Sequence, residues 1–377
     1  MGMTARGASE YAKAGVDYSK LEPFKRAMIA TGKKTLAFPN KRGVFMNEDA
    51  LHAHGAVFEY RGKEPHLWAK TQEGLGNKNW IAGWMYENEG SGKTYYDAIA
   101  KDTALMSVND LIAQGAMPVV FTDEVAAGDS EWFADEKRAA DLARGFYEIC
   151  KEVGMALPAG ESPALTYLIN AKAPVKSAPS LSSSVTGIIA PKDRLVTGKD
   201  LAPGDVILAA TSSGVHANGI SLVIRKAMDL PEKFLTTLPN GKTLGEEALI
   251  PTRSYVALVE SLLDAEVPVH ALLPATGSGI AKLAYDDRPF MYRIHSWLAI
   301  PPLMEFMKEN GVSLEECVRV FNWGAGYYVF VPKDAVSAAL VAGKKAGYDF
   351  VEIGVVEKGD RQVIFEPDNI TLRPPGE

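Results

Sequence analysis

The sequence predicts a two-domain protein of the α/β or α+β class. Its 377 residues are enough for two domains that each bury their own core. Strand-like runs alternate with helical periods in both halves. A stretch rich in Pro and Lys turns, "APKDRLVTGKDLAPGD", separates the halves near Pro191 and divides the chain into 1–190 and 191–377.

In the front half a helix is expected near Leu21–Thr31, then short strand-like runs in "GAVFEY" and "HLWAKT". From Tyr95 the helical period is clear: Leu105, Val108, Leu111 and Ile112 gather on one face, and Gly115 ends the helix. "MPVVFTDEVAAG" reads as a strand entering a loop. A helix over about Ala134–Val153 carries charge on one face and Ala, Leu, Phe and Ile on the other. "MALPAGESPAL" supplies a strand and a Pro/Gly loop. Across the junction "SVTGIIA" and "GDVILAATSS" read as strands, followed by helices at Ile220–Met228 and Arg253–Leu263. The glycine-rich "ATGSGIAKLA", the strand "GYYVFVP", a helix and "DFVEIGVVEKG" close the order.

A net charge of −7 and a pI of about 5.6 argue against a broad nucleic-acid-binding surface and favour small substrates. Cys150 and Cys317 suit neither a disulfide framework nor zinc spacing, so a reducing cytoplasm is expected. "MGMTARGASEYAKAG" lacks the apolar core of a signal peptide, and Arg6 stands where a myristoylation motif wants Ser or Thr. No stretch approaches the roughly 20 apolar residues of a membrane span.

Several segments carry candidate chemistry. In "ALMSVNDLIAQGAMPVV", Asn109 and Asp110 interrupt an apolar run, and a buried carboxylate needs a cation, donors or a metal. In "TQEGLGNK", Gly74 and Gly76 let amides approach an anion and Lys78 adds a positive charge; the spacing is not that of a Walker loop, and a plain turn is the alternative. Glu73, Asp102, Asn109, Asp110, Asp123 and Glu161 form a possible oxygen-ligand set for a hard cation. The competing reading makes Asp102 a helix cap and the rest a salt-bridged or solvated surface. "TSSGVHANGISL" presents amides at a helix start, with His216 able to donate to a substrate oxygen or act as acid/base, or to be an ordinary loop histidine. "ATGSGIAKL" repeats that logic with Thr276 and Ser278. His52 and His54 have H-x-H spacing without a further ligand set.

Taken in order, "YAKAGVDY", "EGLGNK", "DTALMSVNDLIAQGAMPVVFTD", "AGES", "DVILAATSSGVHANGISLVIRK", "ALIPTRSYV", "VHALLPATGSG" and "FNWGAGYYV" resemble the aminoimidazole ribonucleotide synthetase family, the phosphoribosylformylglycinamidine cyclo-ligases of purine biosynthesis. The resemblance implies an N-terminal domain that binds ATP and Mg2+ and forms a homodimer, a C-terminal α/β domain, and ATP and a small-molecule nucleotide substrate held in a cleft between domains. It implies ATP-dependent conversion of formylglycinamidine ribonucleotide to 5-aminoimidazole ribonucleotide, with ADP and phosphate released, and leaves a K+ requirement open.

Carried over by position, Glu73, Asp102, Asp110 and Glu161 would hold metal, and Gly74, Gly76, Lys78, Asn109 and Asp123 would bind the nucleotide. Asn218, Gly219, Thr276, Gly277 and Gly279 would face substrate, with Asp102, Asp110 and His216 catalytic. Asn77, Ala164 and Pro274 depart from the family's threonine, second glutamate and histidine. Two other readings stay open: a divergent member that phosphorylates or dehydrates another small substrate, and a non-catalytic nucleotide-binding protein.

Overall fold

A computed structural model describes residues 9–47 and 55–377; His52 and His54 lie outside the described residues. The front of the chain forms helices α1 (Glu10–Lys13), α2 (Tyr18–Lys33), α3 (Lys78–Asn88), α4 (Tyr96–Leu111) and α5 (Glu136–Val153). Its strands are β1 (Val44–Met46), β2 (Phe58–Tyr60), β3 (Leu67–Gly74), β4 (Met117–Ala126), β5 (Ala156–Glu161) and β6 (Ser180–Ile189). The remainder forms β7 (Val206–Thr211), α6 (Ile220–Asp229), α7 (Leu244–Ala248), α8 (Val256–Asp264), β8 (Ala271–Pro274) and β9 (Phe290–Ile294). It ends with α9 (Pro302–Glu309), α10 (Leu314–Val320), β10 (Ala325–Val331), α11 (Val336–Lys345), β11 (Phe350–Lys358), β12 (Gln362–Phe365) and β13 (Ile370–Leu372).

The chain divides into two compact units. The first comprises Met1–Arg61, Gln72–Ala104 and Val120–Ser184; the second comprises Gly62–Thr71, Leu105–Val119 and Val185–Glu377. A four-stranded sheet runs β3-β6-β4-β5, β1 and β2 form a small antiparallel pair, and a seven-stranded sheet runs β13-β12-β9-β11-β7-β10-β8. The four-stranded sheet includes parallel pairing of β4 with β5, whereas β7, β9, β10 and β11 pair antiparallel. This mixed architecture agrees with the α/β or α+β expectation.

The first unit's core is built from period. Helix α5 is capped by Asp135, whose side chain accepts the Arg138 N–H, and buries Leu142, Phe146, Ile149 and Val153. Fully burying a side chain of this size contributes about 1.5–3 kcal/mol. Helix α2 is locked onto β5 by small contacts. Thr35 Oγ1 accepts the Leu157 N–H at 2.8 Å and donates to the Gly32 carbonyl at 2.7 Å. A Cβ on Gly32 would come within 2.3 Å of the Leu157 carbonyl oxygen, so helix and strand meet backbone to backbone.

Two expectations change, and one helix is new. The loop read in "TQEGLGNK" shortens, because β3 continues through Gly74 and Lys78 already opens α3. Helix α3 had no visible period because Lys78 to Met85 are all buried. Helix α4 begins at Tyr96, so Asp102 lies in its interior and is no cap. Gly115, at φ +76°, does end the following 3-10 turn. Among the described residues both cysteines are free and buried, and no helix is long and apolar enough to cross a membrane.

Candidate functional site

In the first unit, the ends of β4 and β5 face α2 across a cleft of about 450 Å³. The parallel register sets Asp123 beside Gly160 and Glu124 beside Glu161. A Cβ on Gly160 would stand 2.3 Å from Asp123 Oδ1, so the glycine makes room for that carboxylate. Asp123 is buried, and its pKa is pushed up to about 7: burial raises it most, its own backbone N–H opposes, and the Glu161 carboxylate raises it further. Glu161 and Ser162 also line the cleft, with Lys25, Met28, Ile29, Lys33 and Leu36 on the facing wall. Spacings of three, four and eight residues place the α2 members on one helical face. The sequence reading missed Lys25 and Lys33, although that spacing was its available signal.

Lys78 does not supply an exposed cation at the end of a loop. It is fully buried, and its Nζ lies 2.8 Å from Asp102 Oδ2, which is equally buried. Burial pulls the ammonium below its ordinary pKa while Asp102 pushes back. Asp102 thus forms an internal ion pair with Lys78, and its place inside α4 corrects the cap reading. Glu73 is half-buried on β3, Gly74 ends that strand, and Gly76 is exposed at φ +75°. Among the described residues no three His, Cys, Asp or Glu side chains form a group that could hold a metal ion. The proposed Glu73, Asp102, Asp110 and Glu161 set is therefore not gathered as one cluster.

The substituted segment after Glu161 also has a physical account. Ala127 N–H donates to the Pro163 carbonyl, and Leu165 N–H donates to the Ala127 carbonyl at 2.7 Å. Ala164 thereby extends the parallel pairing beyond the strands proper.

In the second unit two glycine-bearing loops meet. Asn218 Oδ1 accepts the Gly277 N–H at 3.0 Å, and Lys282 Nζ donates to Thr276 Oγ1 at 2.6 Å. Residues 277–279 all have positive φ, but the expected helix after them is a 3-10 run, Gly279–Tyr285. Gly219, at φ +71°, has no space for a side chain: a Cβ would lie 2.5 Å from the Phe321 ring. Gly279 packs equally closely on the Val318 carbonyl.

His216 is 2% exposed at φ +55°, and its Nε2 accepts the Ser213 N–H at 3.3 Å. It is part of the loop's packing. Asn109, expected at a nucleotide, bonds the chain at Arg253 and Tyr255. Asp110 lies near enough to Tyr327 that its charge adds to burial in raising that phenol's pKa.

Asn322, not singled out from sequence, is buried at the loop's origin. Its Oδ1 accepts from Ser212 Oγ and the Gly324 N–H, and its Nδ2 donates to the Gly214 carbonyl at 2.8 Å. The "FNWG" context was the only hint.

Two compact units, one with a carboxylate–lysine cleft and one with paired glycine loops, match the AIR synthase related protein family. Its N-terminal domain model matches residues 67–189 and its C-terminal domain model matches 202–366. The chain belongs to this family. A phosphoribosylformylglycinamidine cyclo-ligase of Pyrococcus horikoshii is 36% identical over 366 residues, covering 96% of this chain and 99% of that one. The enzyme of that name from Desulfotalea psychrophila is 32% identical over 377 residues, covering 98% of each.

Solved structures show the same fold at lower identity. The E. coli hydrogenase maturation protein HypE has a TM-score of 0.58 at 15% identity, covering 93% of this chain and 98% of that one. The thiamine-monophosphate kinase of Stenotrophomonas maltophilia has 0.57 at 15%, covering 88% and 94%.

Proposed function

We propose that the chain is an ATP-dependent cyclo-ligase of purine biosynthesis that closes the imidazole ring of 5-aminoimidazole ribonucleotide. Its substrate is formylglycinamidine ribonucleotide, and ADP and phosphate are the other products. The observation that carries this reading is the 36% identity to a cyclo-ligase across 96% of this chain and 99% of the relative. Phosphorylating the formyl oxygen turns a poor leaving group into phosphate, after which the amidine nitrogen closes the ring.

In the first unit, we assign nucleotide and Mg2+ binding to the Asp123–Glu161 cleft. Two neighbouring carboxylates, one with its pKa at about 7 from burial and its neighbour, fit a hard cation that would relieve both. When bound, Mg2+ would offset charge on the transferred phosphoryl group. Lys25 and Lys33 would hold phosphate oxygens, while on β3 and its following turn Glu73 remains a candidate metal ligand and Gly74 and Gly76 candidate nucleotide contacts. In the second unit, the 211–219 and 275–279 loops would hold the substrate through Asn218, Gly219, Thr276, Gly277 and Gly279, with Asp110 and His216 the acid/base candidates.

We infer a domain boundary near Pro191, a reading supported by family matches that end at 189 and resume at 202. We assign a homodimer through the outer strand β3, where Leu67 and Trp68 are exposed, and a cytoplasmic location, in keeping with two free cysteines.

Incubating pure protein with ATP, Mg2+ and formylglycinamidine ribonucleotide should yield aminoimidazole product and ADP in equal amounts. ADP formed only with a different small substrate, or nucleotide binding without turnover, overturns the assignment.

A further inference from the structure

We propose that Asn109 and Tyr255 form a clamp that positions the 211–219 loop for substrate, with Asn109 fixing the 253–255 backbone and Tyr255 transmitting that fix to Thr211. The proposal rests on the assignment of this loop to substrate.

Asn109 is 3% exposed and uses both ends of its amide. Its Nδ2 donates to the Arg253 carbonyl at 3.0 Å, and its Oδ1 accepts the Tyr255 N–H at 3.1 Å. Only an amide satisfies both, because a carboxylate would set an oxygen against the Arg253 carbonyl. The helical amide thus holds an irregular segment from two sides just before α8.

From that segment two side chains reach the loop's first residue. Tyr255 Oη donates to the Thr211 carbonyl at 2.9 Å, and an Arg253 guanidinium N–H donates to Thr211 Oγ1 at 3.2 Å. A third tether runs back from Ser213 Oγ to the Pro251 carbonyl at 2.7 Å. The Tyr255 ring is itself held by stacking on Tyr327, with centroids 5.2 Å apart. Gly326 leaves the space it occupies, since a Cβ there would fall 1.6 Å from the hydroxyl. At its far end the loop is pinned where Gly219 packs on Phe321. A loop fixed at both ends keeps its amides in place without ligand, which lowers the ordering cost of binding.

Tyr255→Phe removes one hydrogen bond and keeps the ring. We expect a rise of about five- to ten-fold in KM for formylglycinamidine ribonucleotide with kcat within about two-fold, the size of one lost positioning bond. Amide exchange in 212–219 should quicken in the same variant. Tyr348→Phe is the control: Tyr348 Oη donates to the Ser254 carbonyl at 2.7 Å, in the same segment but not to the loop, so KM and exchange should hold.

An unchanged KM in Tyr255→Phe with a lower unfolding midpoint, or an equal KM rise in Tyr348→Phe, overturns the clamp. If the wild-type protein makes no aminoimidazole product, the activity reading fails on its own. The exchange comparison then decides the clamp: faster exchange confined to Tyr255→Phe supports it, and no difference rejects it.

Discussion

The two candidate sites are held in opposite ways. The first unit is electrostatic: in its cleft Asp123 is buried beside Glu161, and between α3 and α4 Lys78 and Asp102 bury a full ion pair. The second unit's loops are held mainly by neutral hydrogen bonds and close backbone packing, through Asn109, Asn322, Gly219 and Gly279, with Arg253 and Lys282 adding one cationic donor each at Thr211 and Thr276. Buried charge is tolerated only with a partner, whereas neutral contacts are satisfied within the fold. The first site should therefore respond sharply to loss of one charge, and the second to loss of space.

The largest effect should come from splitting the ion pair. Lys78→Met leaves Asp102 buried without its cation and should cost about 3–5 kcal/mol in urea unfolding, whereas adding Asp102→Leu should recover much of it. A double variant no more stable than the single would show that Lys78 matters for some other contact.

Next comes space in the second unit. Gly219→Ala combines left-handed backbone with overlap of the Phe321 ring and should cost about 3 kcal/mol. Gly277→Ala has φ +58° but open space around its Cβ, and should cost about 1 kcal/mol. Equal losses by thermal unfolding would mean that backbone strain, not packing, governs both.

Asp123→Asn should sharpen the contrast most directly, with a smaller energetic effect. It removes a carboxylate that burial penalises, so the unfolding midpoint should hold or rise while kcat/KM falls about 100-fold, as the proposed cation assignment predicts. A midpoint drop with unchanged kcat/KM would make Asp123 structural.

Much of the fold was legible because its signals are local. The Leu105–Ile112 face, Gly115, the α5 period and the strand runs at β4, β7, β10 and β11 all stand in the sequence near where they act. Helix α3 was not legible, since a helix buried on every side has no polar face to mark its period. The candidate site was legible in parts. Asp123 and Glu161 stood among six residues of one possible oxygen-ligand set, but what joins these two is the parallel register of β4 with β5, which no local pattern encodes. The internal partners of Lys78 and Asn109 were not legible, because Asp102 lies on another helix and the segment that Asn109 bonds lies far along the chain. Residue type announced polar function in each case; only the fold says whether the partner is internal.

The Gly32–Leu157 contact sets a limit on what the first cleft can admit. Since main chain abuts main chain there, no rotamer change can let the lysine-bearing wall retreat at that point. Under the cleft assignment proposed above, a bulkier guest would meet a wall set by main chain, so discrimination by size should survive variation in the lining side chains.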